Sequence, residues 1–190
     1  MAGIRVIAGR AKGRRLKMVP GEGARPVTDR VKEAVFNILG RDIVGTDFWD
    51  VFAGTGSVGI EALSRGAEFV YFTDNDRRAI ATIRENLEIT EFTDASRVER
   101  ADAFNLIGRP AKKQFDFVYI APPQYKGLWS KALQALDRNT SWLYPDAWVI
   151  VQIDPNESNP VELDHLEMFD DRTYGSTMVM FYELVSELSG

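Results

Sequence analysis

The chain has 190 residues and a net charge of −5, with 45% hydrophobic and 27% charged residues, values ordinary for a soluble domain with one substantial core. It has no cysteine, which excludes disulfides, thiolate metal sites and a cysteine nucleophile and fits a reducing, cytoplasmic setting. A single histidine, His165, leaves no multi-histidine metal site, and no apolar run approaches the ~20 residues that span a bilayer.

The N-terminal stretch is unlike the rest. Residues 1–41 hold ten Lys or Arg against three acids, a balance of +7, so the other 149 residues carry −12. A basic end on an acidic body points to a polyanionic partner there, with a solvated charged face as the plainer alternative. Residues 1–17 are Arg-rich and free of acids, as a transit peptide would be. The alternation in IRVIAG and RRLKMV instead predicts two short strands, Ile4 to Ala8 and Arg14 to Val19, turning through Gly9 and Gly13 as a hairpin. Residues 1–24 are read as this basic hairpin extension, and 25–186 as the main domain.

PGEGARP is a turn-rich connector, and TDRVKEAVFNILG follows with Val31, Ala34, Val35, Ile38 and Leu39 on one helical face. Thr28 or Asp29 is placed to cap its start and Gly40 to close it. Arg30, Lys32, Glu33 and Asn37 fall on the opposite face.

From Asp47 strands and helices alternate. FWDVF, FVYFTD, residues 97–101, FDFVYI and AWVIVQI read as strands, with helices through SVGIEALSRG, RRAIATIRENL and WSKALQALDR. Near-continuous apolar strands in this rhythm imply a parallel sheet covered on both faces. His165 to Asp170 and Thr177 to Leu184 are expected to add an antiparallel pair.

Four motifs carry chemistry. In DVFAGTGSVGIEAL, Gly54, Gly56 and Gly59 form G-x-G-x-x-G between a strand and a helix, where the backbone turns tightly beside a ligand. A dinucleotide fold shares that pattern, but Asp50, four residues before Gly54, suits a cationic or amine-bearing ligand better than a pyrophosphate. In FVYFTDND, Asp74 ends the next strand, where a carboxylate accepts ribose hydroxyls; Asp76 reads as a helix cap. That ribose role serves NAD and S-adenosylmethionine alike. In ERADAFNL, Asp102 suits an acceptor for the exocyclic amine of adenine, with the Ala103 N–H for the ring, or else a helix cap. Finally, FDFVYIAPPQYKGLW ends an apolar strand in Ala121, Pro122, Pro123, Gln124 and Tyr125. Rigid carbonyl acceptors beside an aromatic would orient an exocyclic amine on a base, whose lone pair is otherwise delocalised into the ring.

With these residues assembled, the chain resembles the bacterial 16S ribosomal RNA (guanine-N2) methyltransferase family. The similarity runs through IRVIAGRAKGRRLK, GEGARPVTDRVKEAVFNIL, DVFAGTGSVGIEALSRGA, IRENL and DFVYIAPP, about residues 4 to 153. GRRLK and RPVTDRVKEAVFNIL are its most specific parts, and a start at Ile4 leaves no room for a transit peptide.

The resemblance implies a class I methyltransferase of α/β class, Rossmann-like, with a mixed seven-stranded sheet and S-adenosylmethionine as cofactor. It assigns Asp50, Phe52, Ala53, Gly54, Thr55 and Gly56 to the methionine side, Asp74 and Asn75 to the ribose, and Asp102 and Ala103 to the adenine. It places Arg10, Lys12, Arg14, Arg15, Lys17, Arg25, Thr28 and Arg30 toward RNA, with ribosomal RNA or a small-subunit particle as partner. No metal and no membrane is implied, and the expected state is a monomer.

The family's usual tetrad is Asp-Pro-Pro-Tyr, whereas here Ala121 takes the acidic position and Gln124 separates the prolines from Tyr125. Loss of one preorganised acceptor costs ~3–4 kcal/mol, roughly 10²–10³ in rate. Three readings stand: Gln124 replaces the missing acceptor, the backbone alone suffices, or the protein binds RNA and cofactor without turnover. Methylation of a small molecule or protein glutamine, and an NAD-linked oxidoreductase, are weaker alternatives.

Overall fold

The structure is a computed structural model that describes residues 3–21 and 26–186. Arg25, one of the expected RNA contacts, and the expected domain boundary at 24/25 lie outside the described residues. The chain divides into two compact units, Met1–Asp102 and Ala103–Gly190. Among the described residues, no helix is long and apolar enough to cross a membrane.

The first unit contains α1 (Asp29–Leu39), β1 (Asp47–Asp50), α2 (Ser57–Ser64), β2 (Phe69–Asp74), α3 (Arg77–Thr90) and β3 (Ser96–Arg100). β1 pairs with β2, and β2 with β3, both in parallel. The residues that start and stop α1 are those expected. Thr28 Oγ1 accepts from the Val31 amide at 3.3 Å, and the Gly40 N–H donates to the Phe36 carbonyl from a positive φ of 54°.

Lys32 is buried although it lies opposite the apolar face of α1. The helical period puts it on the polar face, yet it is only 1% exposed. Its Nζ donates to the Arg5 carbonyl at 2.7 Å and lies 3.4 Å from Glu61 Oε1. The N-terminal segment and α2 supply the groups that meet this side of α1, so a lysine that a lone helix would leave in water is enclosed and paired. Burial lowers its pKa, with Glu61 partly opposing the shift.

The expected hairpin forms in shortened form. Arg5 and Arg15 make a single antiparallel bridge, flanked by Leu16 N–H to the Ile4 carbonyl and Val6 N–H to the Arg14 carbonyl. Most remaining backbone groups turn to the helices instead. The Ile7 and Ala8 amides donate to Glu61 at 2.8 and 3.1 Å, and the Ala11 amide donates to Ser64 Oγ at 2.9 Å. Gly9 (φ +85°) fits only without a side chain, since a Cβ there would sit 1.9 Å from the Ser64 carbonyl oxygen. Ile4, Val6, Ala11, Leu16 and Val19 are buried, which leaves the intervening basic side chains outward.

The second unit contains α4 (Ala103–Ile107), β4 (Phe115–Ile120), α5 (Leu128–Arg138), β5 (Leu143–Ile153), β6 (Leu166–Tyr174) and β7 (Thr177–Leu184). β4 and β5 are parallel, while β7 runs antiparallel to both β5 and β6. The seven strands make one mixed sheet in the order β3-β2-β1-β4-β5-β7-β6. This is the expected fold class, with the antiparallel pair at the C-terminal edge. Asp137, near the end of α5, fastens the approach to β6: its carboxylate accepts from the amides of Asp164, His165 and Leu166, each at 2.8 Å.

Candidate active site

In the first unit the chain leaves β1 at Asp50 and turns through Val51 to Gly56 before α2 begins. The turn is closed by the Gly56 amide on the Ala53 carbonyl (2.7 Å) and fastened to β2 by the Ala53 amide on the Thr73 carbonyl (2.9 Å). Gly54 and Gly56 have φ of 56° and 80°, the left-handed region that side chains disfavour. Gly59 is needed for a different reason: a Cβ there would stand 2.3 Å from the Phe72 ring, so it is what lets α2 lie against β2.

Two carboxylates flank this turn. Asp50 is 2% exposed and accepts from the Gly59 amide at 3.1 Å. Burial pushes its pKa up to about 7, the Gly59 amide opposes, and nearby Asp74 adds repulsion. Asp74, half-buried at the end of β2, accepts from the Gly54 amide through one oxygen and from the Asp76 amide through the other, both at 2.9 Å. Asp76 in turn caps α3 by accepting from the Arg78 amide at 2.8 Å. Phe52 and Thr55 are part-exposed, Ala53 is buried, and Asn75 and Asp102 are exposed. Asp50, Gly54, Gly56 and Asp74 thus form one connected turn, and Asn75 joins its rim by accepting at its carbonyl from Arg100.

The residues expected to meet RNA are Arg10, Lys12, Arg14, Arg15, Lys17, Thr28 and Arg30 among the described residues, and all are exposed. Several also lean on α3 or its C-terminal end. Lys17 pairs with Glu85 at 2.8 Å, Arg14 with Glu91 at 3.3 Å, and Arg10 lies over the Phe92 ring, 5.2 Å from its centroid. The Thr28 hydroxyl is occupied as the cap of α1.

In the second unit β4 ends at Ile120 and the chain runs through Ala121 to Tyr125. Ala121 and Pro122 are part-exposed; Pro123, Gln124 and Tyr125 are exposed. Tyr125 adopts φ 61°, and its hydroxyl donates to Asp154 Oδ2 at 2.6 Å while its amide donates to Glu157 Oε1 at 2.6 Å. The hydrogen bond to Asp154 raises the Tyr125 pKa, and the same bond lowers that of Asp154.

A family model described as "Conserved hypothetical protein 95" matches residues 4–183. The chain belongs to this family. It is similar to YlbH of Bacillus subtilis (strain 168), 40% identical over 182 residues that span 95% of this chain and 98% of that one. It is also similar to the Ribosomal RNA small subunit methyltransferase D of Haemophilus influenzae, at 31% identity over 95% of this chain and 93% of that protein. The solved structure of yhhF from Escherichia coli superposes with a TM-score of 0.85 at 30% identity, covering 96% of this chain and 98% of that one.

Within this member of the conserved hypothetical protein 95 family, sequence reasoning missed three sets of residues. Glu61, on the helix after the glycine turn, joins the N-terminal segment to α1 and α2; an i,i+4 spacing to Arg65 was its only sequence sign. Asn86, fully buried on α3, accepts from the Lys17 amide (2.7 Å) and donates to the carbonyls of Lys17 (3.1 Å) and Thr55 (2.9 Å). It links the basic segment to the glycine turn, and IRENL contains it without revealing a role. Asp154 and Glu157 follow β5 in a stretch whose sequence carries no motif.

Proposed function

We propose that the chain is an S-adenosylmethionine-dependent methyltransferase acting on the exocyclic N2 amine of a guanine in small-subunit ribosomal RNA. The observation that carries this reading is the turn between Asp50 and Asp74. It offers a buried carboxylate with no cationic partner among the described residues, and a glycine at 54 where an added Cβ would meet nothing within 4 Å. Such a cradle fits a ligand that presents an ammonium group and a ribose, and it favours this cofactor over a dinucleotide pyrophosphate. The similarity to the Ribosomal RNA small subunit methyltransferase D of Haemophilus influenzae supports ribosomal RNA as the substrate.

S-adenosylmethionine, when bound, supplies a methyl group on a cationic sulfur that any correctly oriented amine attacks. The residues of the chain then have separable tasks. Asp50, with Phe52, Ala53, Gly54, Thr55 and Gly56, holds the methionine side, and a neighbouring ammonium would return the Asp50 carboxyl to its ionised form. Asp74 and Asn75 receive the ribose, for which Asp74 exchanges a backbone amide for a hydroxyl. Asp102 and Ala103 receive the adenine. The Pro122 carbonyl and the Gln124 amide oxygen accept from the target amine and aim its lone pair, in place of the carboxylate that Ala121 cannot provide. Tyr125 stacks on the guanine, which must leave its helix to arrive. Because the leaving sulfur departs neutral, the amine proton can be released to water after transfer, and no strong base is required beforehand.

Arg10, Lys12, Arg14, Arg15, Lys17, Arg25, Thr28 and Arg30 bind phosphate along the strand under this proposal, and the chain acts as a cytoplasmic monomer. Methyl-labelled cofactor incubated with unmodified small-subunit RNA tests the activity, with label expected on guanine N2. Cofactor binding without transfer would favour the second reading, suggested by Ala121, of an RNA-binding factor without turnover. Changing Arg14, Arg15 and Lys17 to Glu tests the RNA face: weaker binding with a smaller salt slope is expected. An unchanged slope refutes the assignment.

A further inference from the structure

β4 and β5 run in parallel, with Ile120 opposite Val151, so the segments that follow them leave the same edge of the sheet. The Tyr125 backbone and side chain are each held from the β5 side. Its amide donates to Glu157 Oε1 and its hydroxyl to Asp154 Oδ2, both at 2.6 Å, across 32 and 29 residues of sequence. Asp154 is itself oriented, since its other oxygen accepts from the Asn156 amide at 2.8 Å and Pro155 stiffens the turn between them. Tyr125 nevertheless stays 66% exposed as a residue. An exposed tyrosine with no anchors samples several rotamers, and a left-handed backbone is unfavourable for it. Here both degrees of freedom are restrained while the residue stays largely exposed.

We infer that Asp154 and Glu157 are positioning residues that hold Tyr125 as a fixed stacking platform for the acceptor base. Glu157 stabilises the left-handed turn that follows Gln124, and Asp154 pins the far end of the ring. Together they offset the one-residue displacement of the aromatic from the prolines. This rests on the proposed methylation of an RNA base, and it adds which residues outside the motif make that motif usable. Ordering the ring before the base arrives removes part of the entropy cost of stacking, so the gain appears in RNA recognition and not in cofactor binding.

The test is a cycle of Tyr125→Phe, Asp154→Ala and the double variant, read as kcat/KM for RNA and, separately, as cofactor Kd. Phe keeps the ring and removes the hydroxyl. Asp154→Ala alone is expected to lower kcat/KM for RNA about fivefold to tenfold with cofactor Kd unchanged, whereas adding it to Tyr125→Phe changes kcat/KM by less than about twofold. Asp154→Asn, which keeps an acceptor, is expected to recover most of the loss. Additive losses in the double variant, or a weakened cofactor Kd, overturn the inference. A second measurement does not depend on turnover: in protein labelled with 15N at tyrosine, the Tyr125 amide signal is expected to move upfield in Glu157→Ala. In ring-labelled protein, Tyr125 order is expected to fall in Asp154→Ala. Unchanged signals in both variants overturn the positioning role even if methyl transfer occurs. A chain that shows both shifts but transfers no methyl group retains the anchored platform and loses only the enzymatic reading.

Discussion

Replacing Glu61 by Ala should damage this protein more than any single change on its surface. The carboxylate is fully buried and receives four donors: the Ile7 and Ala8 amides at 2.8 and 3.1 Å, Arg65 Nε at 3.0 Å, and Lys32 Nζ at 3.4 Å. Truncation leaves the Lys32 ammonium enclosed with the Arg5 carbonyl as its remaining close partner, and breaking a buried pair in this way costs about 3–5 kcal/mol. The two orphaned amides set a further penalty unless the N-terminal segment lifts and rehydrates them, which caps the total near that range. For a domain of this size each kcal/mol lowers Tm by about 2–4 °C, so thermal unfolding should shift down by roughly 6–20 °C. Circular dichroism gives the Tm, and hydrogen exchange at Ile7 and Ala8 reports whether the basic segment has come loose from α2. Glu61→Gln, which retains an acceptor but not the charge, should fall between wild type and Ala. A Tm loss below about 2 °C in Glu61→Ala, or unchanged protection at Ile7 and Ala8, would show that the buried carboxylate does not anchor the segment.

Gly59→Ala should destabilise the chain by about 1–3 kcal/mol in denaturant titration, because its Cβ would enter space held by Phe72 and Val70. An Asp50 carboxyl at about 7 binds a proton in the folded chain that the unfolded chain, near ~3.9, has already released. Stability without cofactor should therefore fall as pH rises from about 4 to 7 and level off above, and Asp50→Asn should flatten that slope. With cofactor present, Kd should tighten over the same rise in pH, as measured by calorimetry. Burial alone would raise the Asp137 pKa, but the three backbone amides it accepts from bring it below the usual carboxylate value. Its contribution is present above the unfolded ~3.9 and lost as pH falls through the lower folded value, so Asp137→Ala should reduce stability at neutral pH and leave a shallower acid limb. Asn86→Asp keeps the acceptor for Lys17 and removes the donor to Thr55, so it should weaken cofactor binding severalfold, and an unchanged Kd would mean that the turn stands without it.

The alternating elements were legible because their signals are local. Continuous apolar runs such as FDFVYI and VIVQI, the glycines of the turn, and the caps Thr28 and Asp76 act within a few residues of themselves. So was the likeness to a family, since GRRLK and RPVTDRVKEAVFNIL lie in unbroken stretches. Charge pattern also identified the outward basic residues of the N-terminal segment, because alternation alone determines which side chains meet the core.

Tertiary structure decided the rest, and each case involves groups far apart in the chain. Lys32 lies on the polar face of its own helix and is buried because Glu61, 29 residues later, and the Arg5 carbonyl converge on it. The hairpin is short because its amides are better satisfied by Glu61 and Ser64 than by a longer ladder. The Tyr125 hydroxyl and amide are held by carboxylates 29 and 32 residues away, which no spacing in APPQY announces. Periodicity reports which side of an element is apolar; it carries no information on which distant carboxylate or amide will close a hydrogen bond. Only packing supplies that partner, as it does for Tyr125 in the second unit.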